Sequence, residues 1–304
     1  MNNLNEMHYK QLGNSALNVS KVSFGCMSLK PDQGNFDKVI GEAINYGINF
    51  FDTADLYDFG GNETCLGKAL KNKRKQLIIA TKVGNKWKPD QNGFDWNPTK
   101  KYILAAVEES LKRLQTDYID LYQLHGGTIE DDIDDTIDAF ETLTRQGKIR
   151  YYGISSIRPN VIREYVKRSN IVSVMMQYNL LDRRPEESCL KLLMDNNIGV
   201  LARGSLAGGL LAGKVAKPYL GYDEDTVRKV AEAVKLITPP HSSLAATAIN
   251  YVLQNSAITT AVVGYRNINQ LLETLQAINK ITLTQSEIKK LSGTLNIEHY
   301  QVHR

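Results

Sequence analysis

Eight short apolar runs punctuate the chain, and segments of helical period stand between them. The runs are VSFGCM (22–27), INFFDTAD (48–55), LIIATKVG (77–84), YIDLYQLHG (118–126), IRYYGISS (149–156), VSVMMQYNLLDR (172–183), IGVLARG (198–204) and TTAVVGYR (259–266). Val, Ile, Phe and Tyr dominate them, as suits a pleated, buried surface. KYILAAVEESLKRL (101–114) sets Ile103, Val107, Ser110, Leu111 and Leu114 on one helical face. DDTIDAFETLTRQGK (134–148) ends in Gly147, a natural stop, and PNVIREYVKR (159–168) opens on Pro159. SSLAATAINYVLQN (242–255) starts from a Ser cap and INQLLETLQAI (268–278) follows the last run. LTQSEIKKL (283–291) opens on the capping pattern Thr284 to Glu287.

Strand and helix in alternation imply parallel strands joined by helical crossovers. Eight such units close most economically as a (β/α)8 TIM barrel, an α/β fold. The competitor is an open doubly wound sheet, which would carry a glycine-rich turn after its first strand to hold a dinucleotide. The first run is followed here by GCMSLKPDQGN, which lacks that fingerprint. MHYKQLGNSALNVSK reads as an N-terminal β-hairpin with a Gly-Asn turn, placed to close the barrel bottom. Residues 214–240 are too long for an ordinary connection and contain DTVRKVAEAVKLI (225–237), so they read as an insertion in the strand-7 loop. The expectation is one barrel domain over 1–304, with an extra C-terminal helix.

Composition narrows the function. The chain has 304 residues, 42% of them hydrophobic, and a formal net charge of +4, the profile of a soluble globular protein. The densest basic cluster, KNKRK (71–75), ends a helical pattern and reads as a solvated cap, not a nucleic-acid site. Cys26, Cys65 and Cys189 are far apart, at no metal spacing, and read as reduced thiols. The N-terminus shows no secretory pattern and no run is long enough to span a bilayer. The expectation is a cytoplasmic protein with a small-molecule partner, neither membrane nor nucleic acid.

The polar residues that end the runs carry the chemistry. In a barrel these ends converge on one mouth. They supply Asp52 and Tyr57, Lys82, His125, Ser155 and Ser156, Gln177, Arg203 and Arg266. A Lys beside a Tyr stabilises the tyrosinate and lowers the tyrosine pKa, while an Asp keeps the Lys charged. A neutral His can hydrogen-bond the Tyr or a substrate carbonyl, and the set makes a general acid for a developing alkoxide. No Gly-X-Ser-X-Gly elbow and no metal cluster competes.

FDTADLYDFGGNE, IIATKVG, DYIDLYQLH, YYGISS, MMQYNLLDR, LARGSLAGGLLAGK and VVGYRNINQLLETLQA follow one another in order at barrel spacing. On these motifs the chain resembles the aldo-keto reductases over nearly its whole length. The resemblance implies reduction of an aldehyde or ketone with NADPH as cofactor. Tyr57 would be the proton donor, tuned by Lys82 and Asp52, and His125 would orient the carbonyl. Ser155, Ser156 and Gln177 would hold the carboxamide of the cofactor. Arg203 would stack on its nicotinamide or form a salt bridge in the mouth. The strand-7 loop, with Gly204, Ser205, Leu206, Gly208 and Lys214, would wrap the pyrophosphate. Gly264, Arg266, Gln270, Glu273 and Thr274 would meet the adenosine end, with Arg266 suited to a 2′-phosphate. Ser156 and Thr274 stand where the family often carries Asn. Trp87, Phe94 and Trp96, GGTIEDD (126–132) and the tail NIEHYQVHR would line the substrate pocket, the aromatics facing an apolar substrate or packing on their own loop. Two readings remain: a working carbonyl reductase, or a cofactor-binding regulatory or interaction protein on the same scaffold. A lyase or isomerase using Lys82 as a Schiff base would leave the NADP-side motifs unexplained.

Overall fold

Side chains along each central strand alternate between two environments, and this alternation positions the site. The structure, a computed structural model, describes residues 7–304. Its central strands are β1 (Val22–Gly25), β2 (Phe50–Asp52), β3 (Ile78–Val83), β4 (Ile119–Leu124), β5 (Ile149–Ser155), β6 (Ser173–Gln177), β7 (Gly199–Arg203) and β8 (Ile258–Val263). All pair in parallel in chain order, and β8 returns to β1, giving the expected closed eight-stranded barrel.

Phe50, Ile78, Ala80, Leu121, Met175, Leu201 and Val262 form the barrel interior. Their chain neighbours Phe51, Ile79, Tyr122, Val174, Val200 and Ala261 belong to the larger cluster shared with the helices. Period-2 alternation therefore carries Asp52, two residues beyond Phe50, and Lys82, two beyond Ala80, into the barrel at its upper end. Burial of a Phe or Leu here is worth about 1.5–3 kcal/mol, so a register slip that exchanged the faces would be costly.

The helices are α1 (Phe36–Asn45), α2 (Gly61–Leu70), α3 (Lys100–Leu114), α4 (Ile133–Arg145), α5 (Pro159–Arg168), α6 (Cys189–Asp195), α7 (Glu224–Ile237), α8 (Leu244–Leu253), α9 (Ile268–Ala277) and α10 (Gln285–Ser292). α3 buries Ile103, Val107, Ser110 and Leu114 as the pattern predicts, while Leu111, expected on the same face, is half-buried against the core. Gly147 follows α4 at φ +71°, Ser243 caps α8, and Thr284 and Glu287 form a full capping box on α10. α1 and α6 have no counterpart among the sequence expectations. α1 nevertheless buries Phe36, Val39, Ile40 and Ala43 at helical spacing, whereas α6 has only seven residues. Residues 214–240 run between β7 and α8 and include α7 and a tight turn bridging Tyr219 and Tyr222.

Two positions depart from what their local sequence suggests. Asn62 does not cap α2: Gly60, at φ +81°, holds that position. Asn62 is buried two residues further in, accepting from Thr53 Oγ1 at 2.8 Å and donating to the carbonyls of Cys26 and Leu29. Within KNKRK, Arg74 is not solvated. It pairs with buried Asp120 at 2.8 Å and lies over the Tyr118 ring, while Lys71, Lys73 and Lys75 are exposed. The three cysteines are free thiols.

The hairpin forms as expected, with Tyr9–Gln11 antiparallel to Asn18–Ser20. Leu12, Leu17 and Val19 enter the interior cluster. Lys10 Nζ donates to the carbonyls of Ser256 and Ile258, and the Ala16 N–H donates to the Tyr151 hydroxyl, so the hairpin is tied to the lower ends of the strands. Its turn needs glycine: Gly13 has φ +53°, and a Cβ there would stand 2.3 Å from the Val172 carbonyl oxygen. We expect Gly13→Ala to cost about 2–4 kcal/mol through combined strain and overpacking. Denaturant unfolding would check this, and a midpoint equal to that of the native protein would refute it.

Candidate active site

Asp52, Lys82 and the residues around them meet because three adjacent strands end at one level. Lys82, whose side chain is 1% exposed, donates from Nζ to Asp52 Oδ2 at 2.6 Å and to the Thr53 carbonyl at 2.7 Å. Tyr57 lies on the turn after β2, and its hydroxyl is 3.5 Å from Lys82 Nζ. The Tyr57 ring meets His125 edge-on at a centroid distance of 6.0 Å. His125 follows β4 and is fixed through its backbone, donating to the Val83 carbonyl and accepting from Asn85 Nδ2. The structure thus brings together the four residues expected to form one chemical unit.

Burial decides the electrostatics. It works against the Lys82 charge, but Asp52 and then Tyr57 outweigh it and hold the ammonium above the ordinary lysine value. The Tyr57 phenol is pushed up by burial, with Lys82 opposing more weakly. This reverses the sign expected from the sequence: proximity to Lys82 favours the tyrosinate, yet removing the hydroxyl from water matters more. His125 falls to about 3, first through burial and then through Lys82 and Arg203, so its imidazole is neutral at ordinary pH. Its Nδ1 is buried with no partner among the described residues. Cys26, fully buried nearby, is pushed well up by burial and then by Asp52, which keeps it a thiol.

Asp52, Tyr57, Lys82 and His125 line one large cavity of about 1180 Å³ at the upper end of the barrel. Ser155, Ser156, Arg203, Gly204, Ser205, Leu206, Gly208, Lys214, Gly264, Arg266, Gln270, Glu273 and Thr274 all line it too. The strand-7 loop is built from left-handed positions, with Gly204 at φ +70°, Gly208 at +68° and Gly209 at +100°. Lys214 Nζ is held on it by the Gly208 carbonyl. Gln270 Oε1 accepts from the Arg266 N–H, and Thr274 Oγ1 donates to the Gln270 carbonyl. Hydroxyls at one end, an ammonium on a glycine-rich loop, and a guanidinium at the far end suit an extended nicotinamide dinucleotide. The cavity volume suits one as well.

Other expected residues stand elsewhere. Gln177 does not line the cavity. Its Nε2 donates to Asp182 and to the Tyr219 hydroxyl, and its Oε1 accepts from Arg203 Nη1 at 3.0 Å, so it braces Arg203 from behind. Among the described residues no carboxylate is at ion-pair distance from Arg203, so the salt-bridge alternative is not observed. Trp87 packs on both Phe59 and Phe94, whereas Trp96 faces the cavity with Nε1 bonded to Asp131. The C-terminal tail does not reach the cavity. It folds back so that Tyr300 lies under Arg184, and His303 accepts from the Asn160 N–H. Asp55, on the loop after β2, does not line the cavity either. Burial and then Glu63 raise it to about 8, and its Oδ1 has no hydrogen-bond partner among the described residues. Asp58 is a loop residue paired with Lys30.

Sequence reasoning passed over Gln123 and Asn85. Gln123 Nε2 donates to Asp52 Oδ1 at 3.2 Å and so fixes the carboxylate that holds Lys82. It lies two residues before His125, on the inward side of β4, and the strand period could have found it. Asn85 lies beyond the strand end, and its contact with the His125 carbonyl leaves no mark in a linear pattern. Among the described residues no group of three or more His, Cys, Asp or Glu could hold a metal, and no helix is long and apolar enough to cross a membrane.

Known proteins resemble this chain in sequence and in fold. Residues 21–296 match the profile of the Aldo/keto reductase family. The chain is 48% identical to the uncharacterized oxidoreductase YqkF of Bacillus subtilis (strain 168), over 98% of this chain and 100% of that one. It superposes on the holo form of the aldo-keto reductase AKR11C1 from Bacillus halodurans with a TM-score of 0.93 at 47% identity, covering 98% of this chain and 100% of that one. Against the apo form of the same protein the TM-score is 0.84 at 44% identity, with the same coverage. The chain belongs to the aldo/keto reductase family, which implies nicotinamide-dependent oxidoreduction of carbonyl groups.

Proposed function

We propose that the protein reduces an aldehyde or ketone to the alcohol with NADPH, and that Tyr57 is the proton donor. The observation that carries this reading is the buried ammonium of Lys82, 2.6 Å from Asp52 and 3.5 Å from the Tyr57 hydroxyl. An ion pair removed from water is costly to maintain, and a scaffold without turnover has no need of one beside a tyrosine. The nicotinamide, when bound, supplies a hydride to the carbonyl carbon. As the C=O π bond breaks, Tyr57 gives its hydroxyl proton to the oxygen, completing the alcohol. The tyrosinate left behind faces Lys82 Nζ, which stabilises it until water returns the proton. Asp52, held by Gln123, keeps Lys82 charged and aimed. Neutral His125 orients the carbonyl oxygen by hydrogen bonding. Ser155 and Ser156 would hold the carboxamide, Arg203 the nicotinamide ring, the Gly204–Lys214 loop the pyrophosphate, and Arg266 the 2′-phosphate.

The preference for NADPH over NADH rests on Arg266, which is exposed at the cavity edge and has no carboxylate partner among the described residues. The closer superposition on the holo form supports a mouth shaped for the cofactor.

Three outcomes are expected. Tyr57→Phe lowers NADPH-dependent reduction of benzaldehyde by about 100-fold or more while NADPH binding, followed by fluorescence, is retained. Unchanged turnover would remove Tyr57 from its role. Arg266→Ala weakens NADPH about tenfold more than NADH, and a proportional loss for both would end its phosphate assignment. The third outcome concerns pH. Tyr57 is raised above its ordinary value and so keeps its proton through neutral pH, while His125, lowered to about 3, is already deprotonated there. The kcat/KM for reduction should be flat from roughly pH 5 to 9, with no break at an ordinary histidine pKa. An inflection near pH 6.5 that disappears in His125→Gln would contradict this.

A further inference from the structure

The cavity carries one cation more than the proposed reaction uses. Its lining includes Lys82, Arg158, Arg203, Lys214 and Arg266, and the acids Asp52 and Glu273. Asp52 is consumed by Lys82. Lys214 and Arg266 are assigned to cofactor phosphates, and Arg203 is anchored on Gln177. Arg158 remains, and neither the proton transfer nor the cofactor accounts for it.

Its position is fixed. Arg158 sits between β5 and α5, and Nη1 donates to the Gly127 carbonyl. Gly127 is two residues from His125, a chain span of at most about 7 Å. No carboxylate among the described residues is at ion-pair distance from Arg158. Of the carboxylates on the same loop, Asp131 is already occupied, Oδ1 accepting from Trp96 Nε1 and Oδ2 from the Thr128 N–H, and Asp132 caps α4. With Nη1 turned to Gly127, the Nε–Nη2 edge has no acceptor among the described residues. That edge is the planar fork that grips a carboxylate with two parallel hydrogen bonds. The cavity that it shares with His125 also offers apolar surface. Trp96 covers the backbone here, since a Cβ on Gly126 would be 3.2 Å from its ring, and Leu56 and Ile157 line the same cavity.

We infer that the substrate is a carbonyl compound bearing a carboxylate, with its C=O at Tyr57 and His125, its apolar body on Trp96, and its carboxylate on Arg158. This rests on the proposed reductase reading and adds the substrate class. Arg158 is then a specificity-determining residue and takes no part in the proton transfer.

The test compares 4-carboxybenzaldehyde with benzaldehyde, following NADPH oxidation at saturating cofactor, in the native protein and in Arg158→Gln. Glutamine keeps a donor for the Gly127 carbonyl but loses the charge. The native kcat/KM should favour the carboxylate by about tenfold or more, through KM, and the ratio should fall toward one in Arg158→Gln. Arg158→Lys, which keeps the charge without the fork, should retain part of it. A native ratio at or below one, or a ratio that Arg158→Gln does not lower, overturns the inference. If neither aldehyde is reduced, the reductase reading fails separately, and calorimetry decides the anion site. Benzoate should then bind the protein in the presence of NADP+ more tightly than benzyl alcohol and lose that advantage in Arg158→Gln. Equal affinities overturn the site.

Discussion

The buried ammonium of Lys82 is the constraint around which the upper end of the barrel is built. An unpaired charge at this depth would be prohibitive, so the surrounding chain supplies its compensation from three directions. Asp52 comes from the neighbouring strand, the Thr53 carbonyl from the turn above it, and the Tyr57 hydroxyl from the next turn of chain. Two of the three residues are themselves held, Asp52 by Gln123 and Thr53, through its hydroxyl, by Asn62. The glycine turn into α2 and the buried position of Asn62 therefore serve the same end: they fix the loop that carries Tyr57. Precise placement of the reactive hydroxyl is inherited from the need to neutralise a lysine.

The architecture was legible wherever a period repeats. Eight apolar runs gave the strands, and the alternation of Phe50 with Phe51, or of Ala80 with Thr81, put the polar ends on the inward side. The four central residues were legible for the same reason, since each lies at or just beyond a strand end. Tertiary context was not. Asn62 looks like a helix cap in a linear reading because the carbonyls of Cys26 and Leu29 that claim it are over thirty positions away. Arg74 looks solvated because its partner Asp120 lies on another strand. The Tyr57 shift was misjudged in sign because one neighbouring charge is visible in a motif, whereas the loss of water around a hydroxyl is not.

Gln177 shows how a motif residue can be correctly noticed and serve a different purpose. It stands at the strand end as the pattern requires, but its amide is spent on Asp182, Tyr219 and Arg203. Asp182 in turn takes both Nε and Nη2 of Arg184, which lies over Tyr300. A polar relay thus runs from the C-terminal tail to Arg203 on the cavity wall. The tail, expected to meet substrate directly, contributes instead as the outer anchor of that relay.

The hairpin at the other end of the barrel bears on traffic. Leu12, Leu17 and Val19 fill the lower opening, and Lys10 stitches it to the last strand. The reaction chamber is a blind well. Whatever settles against Lys82 and Tyr57 must arrive and depart through the same rim, past anything lodged above it. Two occupants in such a well form a queue, and the one lying deeper along the shared route can leave only when the other lets it pass.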